Sequence, residues 1–154
     1  MKTLIIMMFF AILFGFAYQV FVVYALANNV STSVQRSIMT TASLNMPTLF
    51  GSLKEGSASA QDIAALVTVA SMEQNLSEEL GVEILPGEMV KRNSSGGWDY
   101  RIHGMDIRAE NIAVGSGTVR YTAEFVLEIP VAAFWDFGSF SIPMHVEAKY
   151  TQKF

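Results

Sequence analysis

The chain has 154 residues, 51% of them hydrophobic and 16% charged, with a formal net charge of -4. That length holds one ordinary domain and a short appendage, and nothing in the acidic balance suggests the basic stripe that a nucleic-acid partner requires. With no cysteine, disulfide frameworks, thiolate metal sites and cysteine nucleophiles are excluded as well.

The apolar excess is concentrated at the N-terminus. From Thr3 to Ala27 no side chain is charged, and after Thr3 only Gln19 is clearly polar. A bilayer core needs about 20 apolar residues in a helix, which the block from Leu4 to Val23 supplies, whereas a signal-peptide core is typically about 7–15. Residues 1–28 therefore read as a transmembrane anchor, with Leu4, Ile5, Ile6, Phe9, Phe10, Leu13, Phe14, Val20, Phe21, Val22 and Val23 in the lipid bilayer. Lys2 precedes the span and the next cation, Arg36, lies well beyond it. The positive-inside bias then predicts a single-pass protein of the cell membrane, its N-terminus cytoplasmic and its C-terminal part extracytoplasmic. Tyr18 and Tyr24 flank the outer half, and Ala11 and Gly15 leave room for a neighbouring helix.

A second reading stays open. Ala25-Leu26-Ala27 has the small-x-small form that a signal peptidase cuts. Cleavage there would release a secreted or periplasmic binding or adhesion module beginning at Asn28.

Beyond the span, Val30, Val34, Ile38, Ala42 and Met46 recur every four residues with no Gly or Pro before Pro47. This spacing predicts that residues 29–45 continue the first helix as an amphipathic extension, from Thr3 to Leu44 in all. A helix running through Ala27 would hide the cleavage bond, which needs extended backbone. "MPTLFGSLKEGSASA", with Pro47, Gly51 and Gly56, predicts a linker over residues 46–59.

Residues 60–154 are expected to form an extracytoplasmic α+β domain. Ser59 and Asp62 resemble a capping box, Ile63, Leu66, Val67 and Ala70 form an apolar face, and Gly81 is placed to stop the helix. One helix is predicted from about Ala60 to Leu80. Everything after Gly81 predicts sheet: a short strand in "VEILP", a turn at Asn93 to Gly97, and strands through "WDYRIHG" and, less cleanly, "MDIRAENIAV". Gly115 to Gly117 marks a further turn.

The last two strands alternate strictly. Val119, Tyr121, Ala123, Phe125, Leu127 and Ile129 share one face, as do Phe140, Ile142, Met144, Val146, Ala148 and Tyr150. Period-two alternation predicts an antiparallel sheet with one face buried and one wet. Pro143, on the wet parity, predicts an edge or a bulge. The expected fold is thus a long transmembrane and amphipathic helix, one further helix, and an antiparallel β-meander of four or five strands.

Chemistry-bearing patterns are sparse. His103 and His145 lack a metal-ligand spacing, and there is no Gly-x-Ser-x-Gly elbow or phosphate loop. Glu73, Glu78, Glu79, Glu83 and Glu88 lack the ligand order of a calcium loop. No catalytic residue, cofactor, metal or small-molecule substrate is therefore expected, and the protein reads as non-enzymatic. Phe134, Trp135 and Phe137, crowded with Phe140 around Asp136, are either a contact patch for a partner or a plug for one end of the core.

This layout resembles membrane-anchored type IV pilin-like proteins, and more closely the TadE-like proteins of tight-adherence (Flp-type) pilus systems. The resemblance is carried by "TAEFVLEIPVAAFWDFGSFSIPMHVEAKY", a strand, aromatic loop, strand unit, and by "VQRSIMTTASLNMP" after the anchor. It implies a component of a pilus or related secretion apparatus at the cell surface, with a role in adhesion and other membrane-helix or pilin-like proteins as partners. "MKTLIIMMFF" departs from the type IV pilin pattern, because it has no Gly-then-Glu processing site.

Overall fold

A computed structural model describes residues 2–113, 118–130 and 138–151. The chain divides into two compact units, Met1–Val30 and Ser31–Phe154. Helix α1, Lys2–Lys54, contributes to both.

In the first unit α1 is apolar on every side. Leu4, Ile5, Phe9, Phe14 and Phe21 are each more than 60% exposed. No turn of it amounts to a polar face, so the pattern that seats a helix on a soluble core is missing.

In the second unit α1 becomes amphipathic. Val34, Ile38, Ala42 and Met46 are buried, and Ser33, Ser37 and Thr41 are buried beside them. The four-residue spacing thus marks a covered stripe, widened by small hydroxyl side chains. The helix passes Leu44, where the sequence predicted its end, and includes Pro47. A proline inside a helix removes one N–H and crowds the carbonyl four residues earlier. Here both Pro47 and Ser43 are exposed, so water can take the carbonyl left over. Buried Met46 and the bond from Asn45 Nδ2 to the Leu66 carbonyl, 2.7 Å, hold the turn on which the proline sits. Residues 46–54 are consequently helical, and only the stretch from Glu55 to Ser59 connects.

The predicted helix over 60–80 is two helices, α2 (Ala60–Ala64) and α3 (Val69–Leu80). Ser59 caps α2 as expected: Asp62 N–H donates to its hydroxyl, and its own N–H and hydroxyl donate to the Asp62 carboxylate. Those bonds hold Asp62 below its ordinary pKa. The break falls at Val67-Thr68-Val69, a β-branched run that is poor in a helix. Thr68 instead caps α3, accepting from the Ser71 N–H while Ser71 Oγ accepts from the Thr68 N–H. Leu66 and Val67 stay buried through the break. Gly81 ends α3 at φ 61, and Lys91 Nζ donates to the Leu80 carbonyl at 2.8 Å, a cation on the negative end of the helix.

Five antiparallel strands follow in sequence order, β1 (Glu83–Leu85), β2 (Glu88–Arg92), β3 (Trp98–Ala113), β4 (Thr118–Pro130) and β5 (Ser139–Thr151). This is the predicted meander. The β4–β5 register is unbroken, pairing Tyr121 with Ala148, Phe125 with Met144 and Ile129 with Phe140. The apolar face of β4 is buried throughout, whereas that of β5 is buried only at Val146 and Ala148, and Phe140 is 52% exposed. β5 is an edge strand, as Pro143 predicted.

β3 departs from simple alternation at three register shifts, the last of them between Glu110 and Ala113. Lys91 pairs with Tyr100 and Arg92 with Trp98, leaving Asp99 as an extra residue. Trp98 is thereby moved to the face of Arg101, whose guanidinium lies 4.2 Å from the Trp98 ring centroid, and not to that of Tyr100 and Ile102 as alternation implied. A second shift lies between His103 and Asp106, where Gly104 has φ 65. It transfers the core parity from Ile102 to Ile107 and Ala109, opposite Ala123 and Tyr121. The ragged pattern of "MDIRAENIAV" is the trace of that bulge.

The helices cover the apolar sheet face. Tyr121 Oη donates to the Ile63 carbonyl of α2 at 2.8 Å, and Asn75 Nδ2 of α3 donates to Thr41 Oγ1 of α1 at 2.9 Å. Ser37 and Arg36 of α1 both reach the Glu79 carboxylate.

Candidate functional site

Among the described residues, those that could act on something outside the molecule fall in two places, the apolar stretch of α1 and the open face of the sheet. The first is the more sharply defined. The apolar window of α1 has a mean hydropathy of 2.3, and none of it is buried. Leu4, Ile5, Ile6, Phe9, Phe10, Leu13, Phe14, Val20, Phe21 and Val22 are all exposed, and Val23 is half-buried. At 1.5 Å per residue the block from Leu4 to Val23 is about 30 Å long, the thickness of a bilayer hydrocarbon core. By length and composition this is one helix able to cross a membrane, and a cleavable signal sequence meets the same two criteria. Ala25, Leu26 and Ala27 lie within the helix. A Cβ added at Gly15 would meet nothing within 4 Å, so the notch there is open to a neighbour.

The open face of the sheet carries charge. His145 lies 3.5 Å from Glu124 and 3.4 Å from Glu147, and Arg120 lies 3.6 Å from Glu147. All four side chains are around half exposed, so water competes for every contact. Asp106 and Arg108 pair beside them at 2.7 Å. Among the described residues no group of three or more His, Asp or Glu is placed to hold a metal ion. The acidic residues around α3 do not converge: Glu79 faces Arg36 and Ser37, and Glu83 pairs with Arg92. His103 lines a recess with Glu73, Glu88 and Met89, apart from His145.

Phe134, Trp135 and Phe137 lie outside the described residues. Two contacts on the sheet and its edge, among others in the domain, were not foreseen from the sequence. Gln35 Nε2 of α1 donates to the Glu147 carbonyl of β5 at 3.0 Å, and the Trp98 ring meets Arg101. The first joins residues 112 positions apart and has no local pattern. The second follows from the bulge at Asp99, which alternation alone does not reveal.

No family model, no curated protein and no solved structure matches the chain.

Proposed function

We propose that the protein is a non-enzymatic, single-pass membrane component of a surface pilus or related secretion apparatus. Its first helix sits in the bilayer, and its α+β domain makes protein contacts on the extracytoplasmic side. The observation that supports this reading is the helix apolar on all sides and covered by nothing. Such a helix is stable only among lipid tails or other apolar helices. Each Leu, Ile, Phe or Val near its centre favours insertion by about 0.3–0.6 kcal/mol. The assignment to a pilus apparatus is supported by the likeness of the chain's layout, and of Tyr121 to Tyr150, to TadE-like proteins. Partners are then other membrane helices of the same apparatus, meeting this one laterally near Ala11 and Gly15.

Two measurements test the two parts. Full-length protein should stay with membranes washed in alkaline carbonate and leave only with detergent; release without detergent overturns the anchor. A photo-crosslinker in place of Gly15 should capture another membrane protein in the native host, and capture of lipid alone overturns the assembly role. A secreted module is the second reading, favoured by Ala25-Leu26-Ala27. N-terminal sequencing decides it, since a mature chain beginning at Asn28 would establish cleavage.

A further inference from the structure

β5 is a 13-residue edge strand, and a long edge invites another strand to add to it. Backbone groups of an antiparallel strand point alternately toward its partner and away. Gln35 reaches the Glu147 carbonyl from outside the ladder, so Glu147 is one of the residues that point away from β4. The register is unbroken, so Ser139, Ser141, Pro143, His145, Lys149 and Thr151 point the same way. Pro143 therefore stands where its missing N–H leaves a gap in the free edge and costs the ladder nothing. Two of the outward positions in the middle of the strand are thus closed by different means. Pro143 offers no donor, and the Glu147 acceptor is already occupied by a side chain from α1. His145, Glu147 and Lys149, all exposed, add charge along the same stretch.

We propose that Gln35 and Pro143 form a latch that keeps the β5 edge closed to strand addition by a second copy of this chain. Contacts between copies are then made by surfaces other than an extended sheet. The latch is a property of the folded domain and does not depend on the anchor reading.

Amide hydrogen exchange on the full-length chain in detergent micelles, at rising protein concentration, tests it. In the unaltered protein the amides of Ser141, His145 and Lys149 should exchange fast at every concentration, while those of Ile142, Met144 and Val146 are protected by β4. In Gln35→Ala/Pro143→Thr the outward amides should slow by about tenfold or more as concentration rises, with the inward amides unchanged as the control for folding. Helix association within micelles would not produce that pattern. Outward amides as fast in the double variant as in the unaltered protein would overturn the latch, and so would outward amides already protected in the unaltered protein. If the double variant does not fold, Gln35→Ala alone carries the test, with partial slowing at Lys149 expected and no slowing overturning the proposal.

Discussion

Tyr121 shows what one buried polar atom does in this domain. Its ring is fully buried and its hydroxyl donates to the Ile63 carbonyl, so sheet and α2 are joined by a bond that water does not reach. Burial, and secondarily Tyr150, push its pKa up to about 12. A phenol that holds its proton more tightly when folded contributes stability that is complete below the unfolded value, near 10, and is lost as pH rises toward 12. Tyr100 is shifted in the same direction by burial and by Asp99. Tyr121→Phe should lower stability by about 1 kcal/mol at neutral pH and flatten, without abolishing, the fall in urea midpoint between about pH 10 and 12. An unchanged alkaline slope would show that Tyr121 ionises as freely folded as unfolded. That Tyr121 faces inward was legible from alternation. Its partner was not, because Ile63 is 58 residues away in a helix whose end the sequence misplaced.

At the scale of elements, legibility followed the strength of the period. The faces of β4 and β5 could be read because one apolar face repeats without interruption, though at the edge only Val146 and Ala148 of β5 are buried. β3 could not, because extra residues near Asp99 and Gly104 each reverse the faces, and a bulge leaves only a blurred alternation behind. In the helices the apolar period misled at one place and the proline rule at another. Thr68 capped and restarted a helix that its apolar face had joined, while Pro47 was carried through one that it should have ended. The first is local, set by the β-branched run and the Thr68–Ser71 cap, and only the second is tertiary: Asn45 binds the Leu66 carbonyl freed by the break and steadies the turn that holds the proline. Pro47→Ala should restore one helical bond and raise stability by about 1–2 kcal/mol, after the greater freedom of the unfolded chain is offset. A higher urea midpoint with an unchanged slope is the expected reading.

At the scale of the whole molecule the decisive contrast is between a stretch of α1 with nothing on it and a domain whose core is closed. The contrast was legible at once, since a charge-free run from Thr3 to Ala27 needs no tertiary information to interpret. Leu13→Arg should disfavour insertion by about 2.5–3.5 kcal/mol, read as carbonate-extractable or aggregated protein where the unaltered chain stays in the membrane. Orientation can be read from Asn93, in an exposed turn where its Oδ1 accepts from the Ser95 amide and hydroxyl. Translated into microsomes as Asn29→Gln, which removes the Asn-x-Ser triplet at that exposed position, the chain should gain a glycan at this Asn-Ser-Ser site, and adding Asn93→Gln should abolish it. No glycan on the unaltered chain would place the domain on the cytoplasmic side. Asn75, which also begins an Asn-x-Ser triplet, donates to Thr41 inside the domain and should stay unmodified in folded protein.

The seam between α1 and α3 has a mechanical corollary. Its polar ties are single contacts, Ser37 to Glu79 at 3.5 Å and Asn75 to Thr41 at 2.9 Å, beside the buried apolar stripe of α1. The β4–β5 ladder is instead stitched by a run of paired backbone from Thr118 to Pro130 without a break. Tension entering the chain from residue 30 meets the single Gln35 bond to β5 and then that seam, so a tugged domain would shed its first helix while the sheet stayed whole.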